Sequence, residues 1–580
     1  MQYVAESLKK DAVTVAKAIA NDPLALQFAS DDLKNDKAIV LQAVSLEGCT
    51  LCFADDKLKD DLVIVQIAIT ENIDALKYAG PNVLADKTLV QQAVTRKGSL
   101  LQYAAESLKN DFAIVSKAIA SDPMALQYAA DDLKKDKVLV LQAVTINGFC
   151  LRFADDTLKD NLEVAGKAIA QNVDALIYAG QNVLADSTII GTALSKKGSL
   201  LKYVAENLKN DAATVSKAIA NDPMALQFAS DDLKMDKAIV LQAVSLEGFA
   251  LRFADDTLKD NFEVAEKAIK QNPDAFILTG PNVLKDKTLV ELAVTRKGSL
   301  LQYAAESLKN DFAIVSKAID NDPMALQFAS ADIKNDKTIV LQAVNKQGLA
   351  LQFADVSLRN NFEVAGIAIE QNVDALQFAG TDVVAKDTLV GQVVSKKGGL
   401  LRFASASLRN TAAIVTKALA NDPMALQFAS DDLKKDKAIV LQAVSMDGLA
   451  LRFADDTLRD NFEVAGKAIE QNPDAFRLTG PNVLNDKTLV ELAVTRKGSL
   501  LQYASETLKG YLSTVTLAVI NDPFALKYAS ADLKKDKALV LQAVNLDGRS
   551  LKYADVTLKN DPEILAAAFR QNPDALNYLL

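Results

Sequence analysis

Apolar and polar residues alternate along the chain in a pattern that recurs every 25 residues. In residues 126–150, four apolar side chains fall at i, i+1, i+4 and i+5 and so share one face of a helix: Leu139, Val140, Ala143 and Val144. Apolar residues from Met124 to Ala129 predict a shorter helix before it. The intervening DDLKK predicts a turn with Leu133 pointing inward. Each repeat is therefore predicted to be a two-helix hairpin with helices of roughly 8 to 11 residues.

Polar residues mark the predicted helix ends. Residue 11 of nearly every repeat is Asp or Asn, as at Asp136, and these side chains can cap a helix N-terminus. Thr411 is expected to cap as well, whereas Lys386 and Tyr511 depart from the rule. Gly148 ends the second helix of its repeat, where a glycine is free to take positive φ. The 25-residue unit therefore carries its own start and stop signals.

The register runs through 23 copies without insertion or deletion, which is typical of a solenoid. Helices this short are marginal alone, so the repeats must stack on one another. Small residues such as Ala43 and Ala68 recur in the second helix, and only Val393 breaks that column. Aromatic residues recur at position 3, where a core spine is favoured over a stacking ladder for a ligand. The predicted fold is an all-α solenoid of tandem two-helix repeats, with one continuous array over residues 1–580.

A longer cycle of 100 residues overlies the repeat, giving blocks 1–100, 101–200, 201–300, 301–400 and 401–500 and a partial block 501–580. One explanation is duplication of a four-repeat block, whose internal differences were copied with it. The other is geometric, with about four repeats in each superhelical turn, so that each kind of repeat lines one side.

Each complete block ends its fourth repeat with two basic residues. The pairs are Arg96 and Lys97, Lys196 and Lys197, Arg296 and Lys297, Lys396 and Lys397, and Arg496 and Lys497. Cations at a helix C-terminus complement its macrodipole, which is the structural interpretation. The functional interpretation is a basic ladder that grips an acidic partner or a neighbouring protomer.

The amino-acid composition limits the kinds of catalytic, metal and nucleic-acid site that the chain can form. The chain has no histidine, so a Ser-His-Asp or Cys-His site cannot form, and no cofactor or metal site is expected. Cys49 and Cys52 form its one Cys-x-x-Cys, but Cys49 stands where other repeats carry Phe or Leu, which favours a packing role. The net charge of −10 argues against nucleic-acid binding.

The sequence also predicts the cellular compartment of the protein. No apolar stretch is long enough to span a membrane, and the N-terminal residues resemble no signal peptide. Three cysteines in 580 residues suit a reducing compartment. A cytoplasmic protein is expected, with export by a route that needs no signal left open.

The two ends of the array lack polar capping repeats. Met1 falls in the middle of a predicted helix, and a new helix begins at Asn572 shortly before Leu580. Solenoids usually need polar end repeats for solubility. The chain is therefore expected either to belong to a longer protein or to have its ends covered, for instance by head-to-tail contact between copies.

The repeat resembles a known family. The segment LQFASDDLKKDKAIVLQAVSMDG (426–448) is similar to the domain-of-unknown-function family DUF4116, and the similarity covers the entire chain. The resemblance implies an all-helical array and no established activity. The first functional hypothesis is a non-enzymatic scaffold that binds other proteins through an extended surface. The alternative is a structural protein that assembles into head-to-tail filaments.

Overall fold

The computed structural model describes residues 5–578, with side chains up to residue 575. The chain forms two compact units, residues 1–293 and 294–580. No strand occurs in the described residues, and each unit is an all-α tandem-repeat solenoid, which confirms the predicted fold class. The continuity of a single array over residues 1–580 stays a prediction, as do the end contacts, because Met1 and Leu580 lie outside the described residues.

Each repeat contains one ten-residue α-helix, here called the long helix. In the first unit the long helices are Ala12–Asn21, Lys37–Leu46, Leu62–Glu71, Lys87–Arg96, Phe112–Ser121, Lys137–Ile146, Leu162–Gln171, Ser187–Lys196, Ala212–Asn221, Lys237–Leu246 and Phe262–Gln271. The helix Lys287–Arg296 contains the boundary between the units. In the second unit they are Phe312–Asn321, Lys337–Lys346, Phe362–Gln371, Asp387–Lys396, Ala412–Asn421, Lys437–Met446, Phe462–Gln471, Lys487–Arg496, Leu512–Asn521, Lys537–Leu546 and Pro562–Gln571.

Two short helical segments separate successive long helices, where the sequence predicts one short helix and a turn. A six-residue 3₁₀ helix starts two residues after every long helix, from Pro23–Phe28 to Pro573–Tyr578. A four-residue α-helix follows at position 6 of the repeat, from Glu6–Lys9 to Val556–Lys559. It is replaced by short 3₁₀ helices at Val283–Lys285, Leu508–Gly510 and Leu533–Lys535, and by turns over 381–385. The DDLKK segment is thus a helix, Asp131–Lys134, rather than the predicted turn, and Leu133 is only partly buried against the core.

The core lies along the long helices. Leu139, Val140, Ala143 and Val144 are fully buried, as their spacing predicts. The position-3 aromatic rings, such as Tyr128, are mostly half-buried and pack on the edge of this core. The apolar face of each long helix is therefore covered by neighbouring repeats rather than by its own hairpin alone.

The predicted caps are confirmed with one exception. The Asp136 carboxylate accepts hydrogen bonds from the backbone N–H groups of Val138 and Leu139. Lys386 and Tyr511 make no side-chain cap, as expected. The prediction for Thr411 is wrong, because its hydroxyl donates to the Ser407 carbonyl and its long helix has no side-chain cap.

The role predicted for Gly148 is also wrong. No described residue has positive φ, and Gly148 begins a 3₁₀ helix. A Cβ atom at Gly148 would lie 2.3 Å from the carbonyl oxygen of Ala168 in the next repeat. Glycine is required because the two repeats approach closely, not because the backbone turns left-handed.

Candidate interaction surfaces

The basic pairs lie where the sequence places them, at the ends of the fourth long helix of each block. Arg96, Lys196, Arg296, Lys396 and Arg496 are the last helical residues. The lysine after each of them leaves the helix with extended backbone and begins the turn to the next 3₁₀ helix. The two members of a pair therefore project from different backbone geometries and have different partners.

The lysine in the second position of a pair forms an ion pair with an aspartate of the preceding repeat. Nζ–Oδ1 distances are 2.6 Å for Lys97–Asp74, 2.5 Å for Lys197–Asp174, 2.6 Å for Lys397–Asp374 and 2.7 Å for Lys497–Asp474. Lys297 also takes part in an interaction. Such half-exposed pairs contribute about 0–1 kcal/mol each. Their charges are balanced within the chain, which lowers their attraction for an acidic partner.

The first member of a pair differs between blocks. Arg96 Nη1 donates to the Ile69 carbonyl oxygen at 3.0 Å, and Arg496 Nη1 donates to the Ile469 carbonyl oxygen at 3.4 Å and to that of Glu470. Each guanidinium thus caps the C-terminal end of the long helix in the preceding repeat, the negative end of its macrodipole. The cations complement a helix dipole as the structural interpretation expects, but on the neighbouring helix.

Lys196 and Lys396 do not make this contact. Neither side chain makes a hydrogen bond or an ion pair to any residue that the structure describes. Both line grooves between the long helices of the third and fourth repeats of their blocks. The ten residues of the predicted ladder are therefore not equivalent, and its binding to an acidic partner stays a prediction.

A second surface was missed at the sequence level. The first residue of the long helix is a half-exposed Phe or Leu in alternate repeats, with exposed fractions from 45% at Phe112 to 55% at Phe362. We call these residues the exposed stripe: Leu62, Phe112, Leu162 and Phe262 in the first unit, and Phe312, Phe362, Phe462 and Leu512 in the second. Ala212 and Ala412 interrupt it. In most intervening repeats the same position is lysine, an alternation that the sequence alone displays.

Ion pairs surround the exposed stripe. The glutamate that follows a stripe phenylalanine binds the lysine at the start of the preceding long helix, with Nζ–Oε2 distances of 2.6 Å for Lys237–Glu263 and 2.5 Å for Lys337–Glu363. Lys437 and Glu463 form the same pair. The stripe therefore presents apolar side chains beside charges that pair with one another.

The cysteines have the properties of packing residues. All three carry free thiols. Burial raises the pKa of the Cys49 and Cys52 thiols and raises that of Cys150 to about 12. A raised pKa lowers the fraction of thiolate, so these environments disfavour a nucleophilic role. No group of three or more potential metal ligands occurs in the part of the chain that the structure describes.

The fold and these surfaces define a class of protein, the all-α helical-repeat solenoid. The chain belongs to the family described as domain of unknown function (DUF4116). Its family model matches residues 15–59, 39–84, 86–134, 136–183, 186–234, 214–256, 236–279, 286–334, 336–383, 389–434, 414–459, 436–483, 461–509, 486–534, 512–557 and 536–580. Each match spans about two repeats, as the resemblance implies. No curated protein matches the chain. Among residues 5–578, no helix has the length and apolar character needed to cross a bilayer.

Proposed function

We propose that this chain is a non-enzymatic scaffold that binds partner proteins through the exposed stripe. The observation that carries the proposal is the recurrence of a half-exposed Phe or Leu at one position of alternate long helices. Single exposed apolar residues are common on protein surfaces, but these residues recur at one helix position, so that the same face of alternate repeats carries them. Such a face suits an extended partner that contacts several repeats.

The aromatic members of the stripe would supply most of the binding energy. Phe362 is 55% exposed and Phe462 is 53% exposed, so each leaves about 100 Å² for a partner to cover. At roughly 25 cal/mol per Å², complete burial of one ring contributes about 2.5 kcal/mol. Three such rings are enough to dominate the energetics of a protein interface, where a few anchors usually do so.

The test compares two sets of surface variants in the second unit. One replaces three stripe residues, Phe312→Ser, Phe362→Ser and Phe462→Ser. The matched control carries Val356→Ser and Val556→Ser. These two valines are 64% and 72% exposed but lie outside the stripe. Immobilised wild-type, stripe and control chains are incubated with a native lysate, and the proteins that they retain are quantified by mass spectrometry.

We expect the wild-type and control chains to retain the same proteins in similar amounts. The stripe variant should retain at least about tenfold less of them, which corresponds to a loss of about 1.4 kcal/mol in binding free energy. Circular dichroism checks that all three chains are equally helical. Equal retention by the stripe and wild-type chains would remove the basis of the proposal. Turnover of a substrate by rigorously purified chain would contradict its non-enzymatic part.

A second candidate function is end-to-end assembly into filaments. The packing of like repeats favours it, because internal long helices bury their apolar faces against neighbouring repeats. Contact between repeats of two copies would reproduce that packing, and repeated head-to-tail contact gives an open fibre. Light scattering over a concentration series tests this candidate. Rods that lengthen with concentration support it, and a constant monomer mass refutes it.

A further inference from the structure

A groove in the second unit lies between two long helices, Phe362–Gln371 and Asp387–Lys396. Its volume is about 620 Å³, within the range of roughly 300–1,000 Å³ that is usual for ligand sites. Ile369, Leu389 and Val393 supply apolar lining. Each flanking helix has ten residues and so extends for about 15 Å.

Substitutions in these two repeats surround the groove. Val393, which lines it, stands where other long helices have alanine. Gly366 faces the groove, and a Cβ atom there would meet no other atom within 4 Å. Lys386 provides no side-chain cap for the second helix. Departures from the repeat are therefore concentrated around this groove.

The first unit has a smaller groove at the same place, between the third and fourth repeats of block 101–200. It measures about 190 Å³ and is lined by Gly166, Ile169, Ile189 and Lys196, among others. Ala193 keeps the usual small residue where Val393 stands in the second unit. Both grooves thus combine an apolar lining with a lysine at the end of the second helix.

Arginine occupies that lysine position in other blocks and has a different effect. Arg96 and Arg496 cross to the preceding helix and donate to its last carbonyl groups. Lysine has a shorter side chain and a single ammonium group, and Lys396 makes no such contact within the described residues. Where lysine replaces arginine, the positive charge lies at the mouth of the groove and makes no hydrogen bond or ion pair within the described residues.

We infer that the groove of the second unit receives aliphatic side chains from a helix of a partner protein, with an adjacent carboxylate of that helix bound to Lys396. The inference rests on the proposed scaffold function and adds a site separate from the exposed stripe. An amphipathic helix laid into an apolar groove is a common mode of protein recognition. Lysine lines both grooves, whereas Glu370 of the second unit has Ala170 as its counterpart in the first. The lysine is therefore the charge that the two grooves share, and a carboxylate is the partner group that it would bind.

The test uses three synthetic probe peptides. They are blocked and alanine-rich, carry two leucines one helical turn apart, and differ only in the residue beside the leucines, which is Glu, Gln or Lys. Binding to the full chain is measured by fluorescence anisotropy at low ionic strength. Four variants accompany the wild type: Lys396→Met, Glu370→Ala, Gly366→Leu to fill the groove, and Phe362→Ser as a stripe control.

We expect the Glu peptide to bind most tightly and the Lys peptide most weakly. Lys396→Met should weaken binding of the Glu peptide about three- to fivefold, the range for a partly exposed ion pair. Glu370→Ala should strengthen it by removing a like charge. Gly366→Leu should abolish binding of all three peptides while circular dichroism stays unchanged, because the glycine Cβ position is open. Phe362→Ser should have no effect.

Equal affinity for the three peptides, or binding that persists in Gly366→Leu, would overturn the groove inference. Absence of peptide binding would overturn it as well. Lysate proteins that are still retained through the exposed stripe would then leave the scaffold proposal standing, so the two failures are distinguishable. Loss of stripe-dependent retention with intact, Lys396-dependent peptide binding would refute the stripe and keep the groove.

Discussion

A pair of side chains between the third and fourth repeats of each block gives the sharpest prediction about stability. Asp460 Oδ1 accepts hydrogen bonds from the backbone N–H groups of Asn482 at 2.8 Å and of Val483 at 3.1 Å. Asp460 Oδ2 accepts a third bond, at 2.7 Å, from the Asn482 side-chain amide. In the preceding block the same two positions are exchanged, with Asn360 Oδ1 accepting from the Asp382 N–H at 2.8 Å and the Asn360 amide donating to the Asp382 carboxylate.

This exchange predicts a compensating pair of mutations. Asp460→Asn alone replaces charge-assisted hydrogen bonds by neutral ones, once the Asn482 amide turns its oxygen toward the new amide, which costs about 1–2 kcal/mol for a half-exposed pair. Asn482→Asp alone sets two carboxylates against each other at a similar cost. The double variant recreates the pair at Asn360 and Asp382 without changing net charge, so it should recover most of the lost stability.

Hydrogen exchange is the suitable assay, because one contact barely moves the global unfolding of a long repeat array. The amides of Asn482 and Val483 should exchange about 5- to 30-fold faster in each single variant, which corresponds to 1–2 kcal/mol. Exchange in the double variant should return to within about threefold of wild type. The reasoning fails if the single variants exchange like wild type, or if the double variant is as fast as the product of the single effects.

Further predictions concern glycine and pH. Gly348→Ala should destabilise its repeat by about 1–3 kcal/mol, because the new Cβ would lie 2.1 Å from the Ala368 carbonyl oxygen. Gly366→Ala, the control in the next long helix, should be neutral or stabilise by up to about 1 kcal/mol. Hydrogen exchange of the amides around residues 348 and 366 should show both effects, and equal exchange in the two variants would contradict them. Hydrogen bonds from Lys37 and Lys87 lower the pKa of Asp61 and Asp111. The stability they contribute is present above the ordinary carboxyl pKa and is lost as pH falls through the lowered values. Unfolding midpoints should therefore drop below about pH 4 and stay flat between pH 6 and 8, where the chain has no histidine to titrate. A drop between pH 6 and 8 would be inconsistent with this.

The sequence predicts the parts of the fold that one repeat contains. The buried face from Leu139 to Val144 and the cap at Asp136 depend on local spacing and local hydrogen bonds, and both were found as expected. The sequence does not predict the type of the first helix, because the run of apolar residues from Met124 to Ala129 fits a 3₁₀ helix and an α-helix equally well.

Contacts between repeats were harder to predict. The need for Gly148 comes from a carbonyl group 20 residues further along the chain, and the partner of Arg96 lies in the preceding repeat. A periodic sequence does not say which neighbour a side chain reaches. Two signals were nevertheless present in the sequence, namely the exchange of Asp and Asn at residues 360 and 382 and the alternation of lysine with Phe or Leu at the start of the long helices.

If partner proteins bind at the exposed stripe, its aromatic side chains lie in direct contact with the partner. Site-specific photocrosslinking tests this contact most directly, with a benzophenone amino acid placed at Phe362 or Phe462 in the stripe, or at Val356, which is 64% exposed and lies outside it. We predict that the two stripe positions crosslink to the same partner protein and that residue 356 does not. Crosslinking of that partner at residue 356 as strongly as at both stripe positions, or no crosslink at either stripe position, would contradict binding at the stripe.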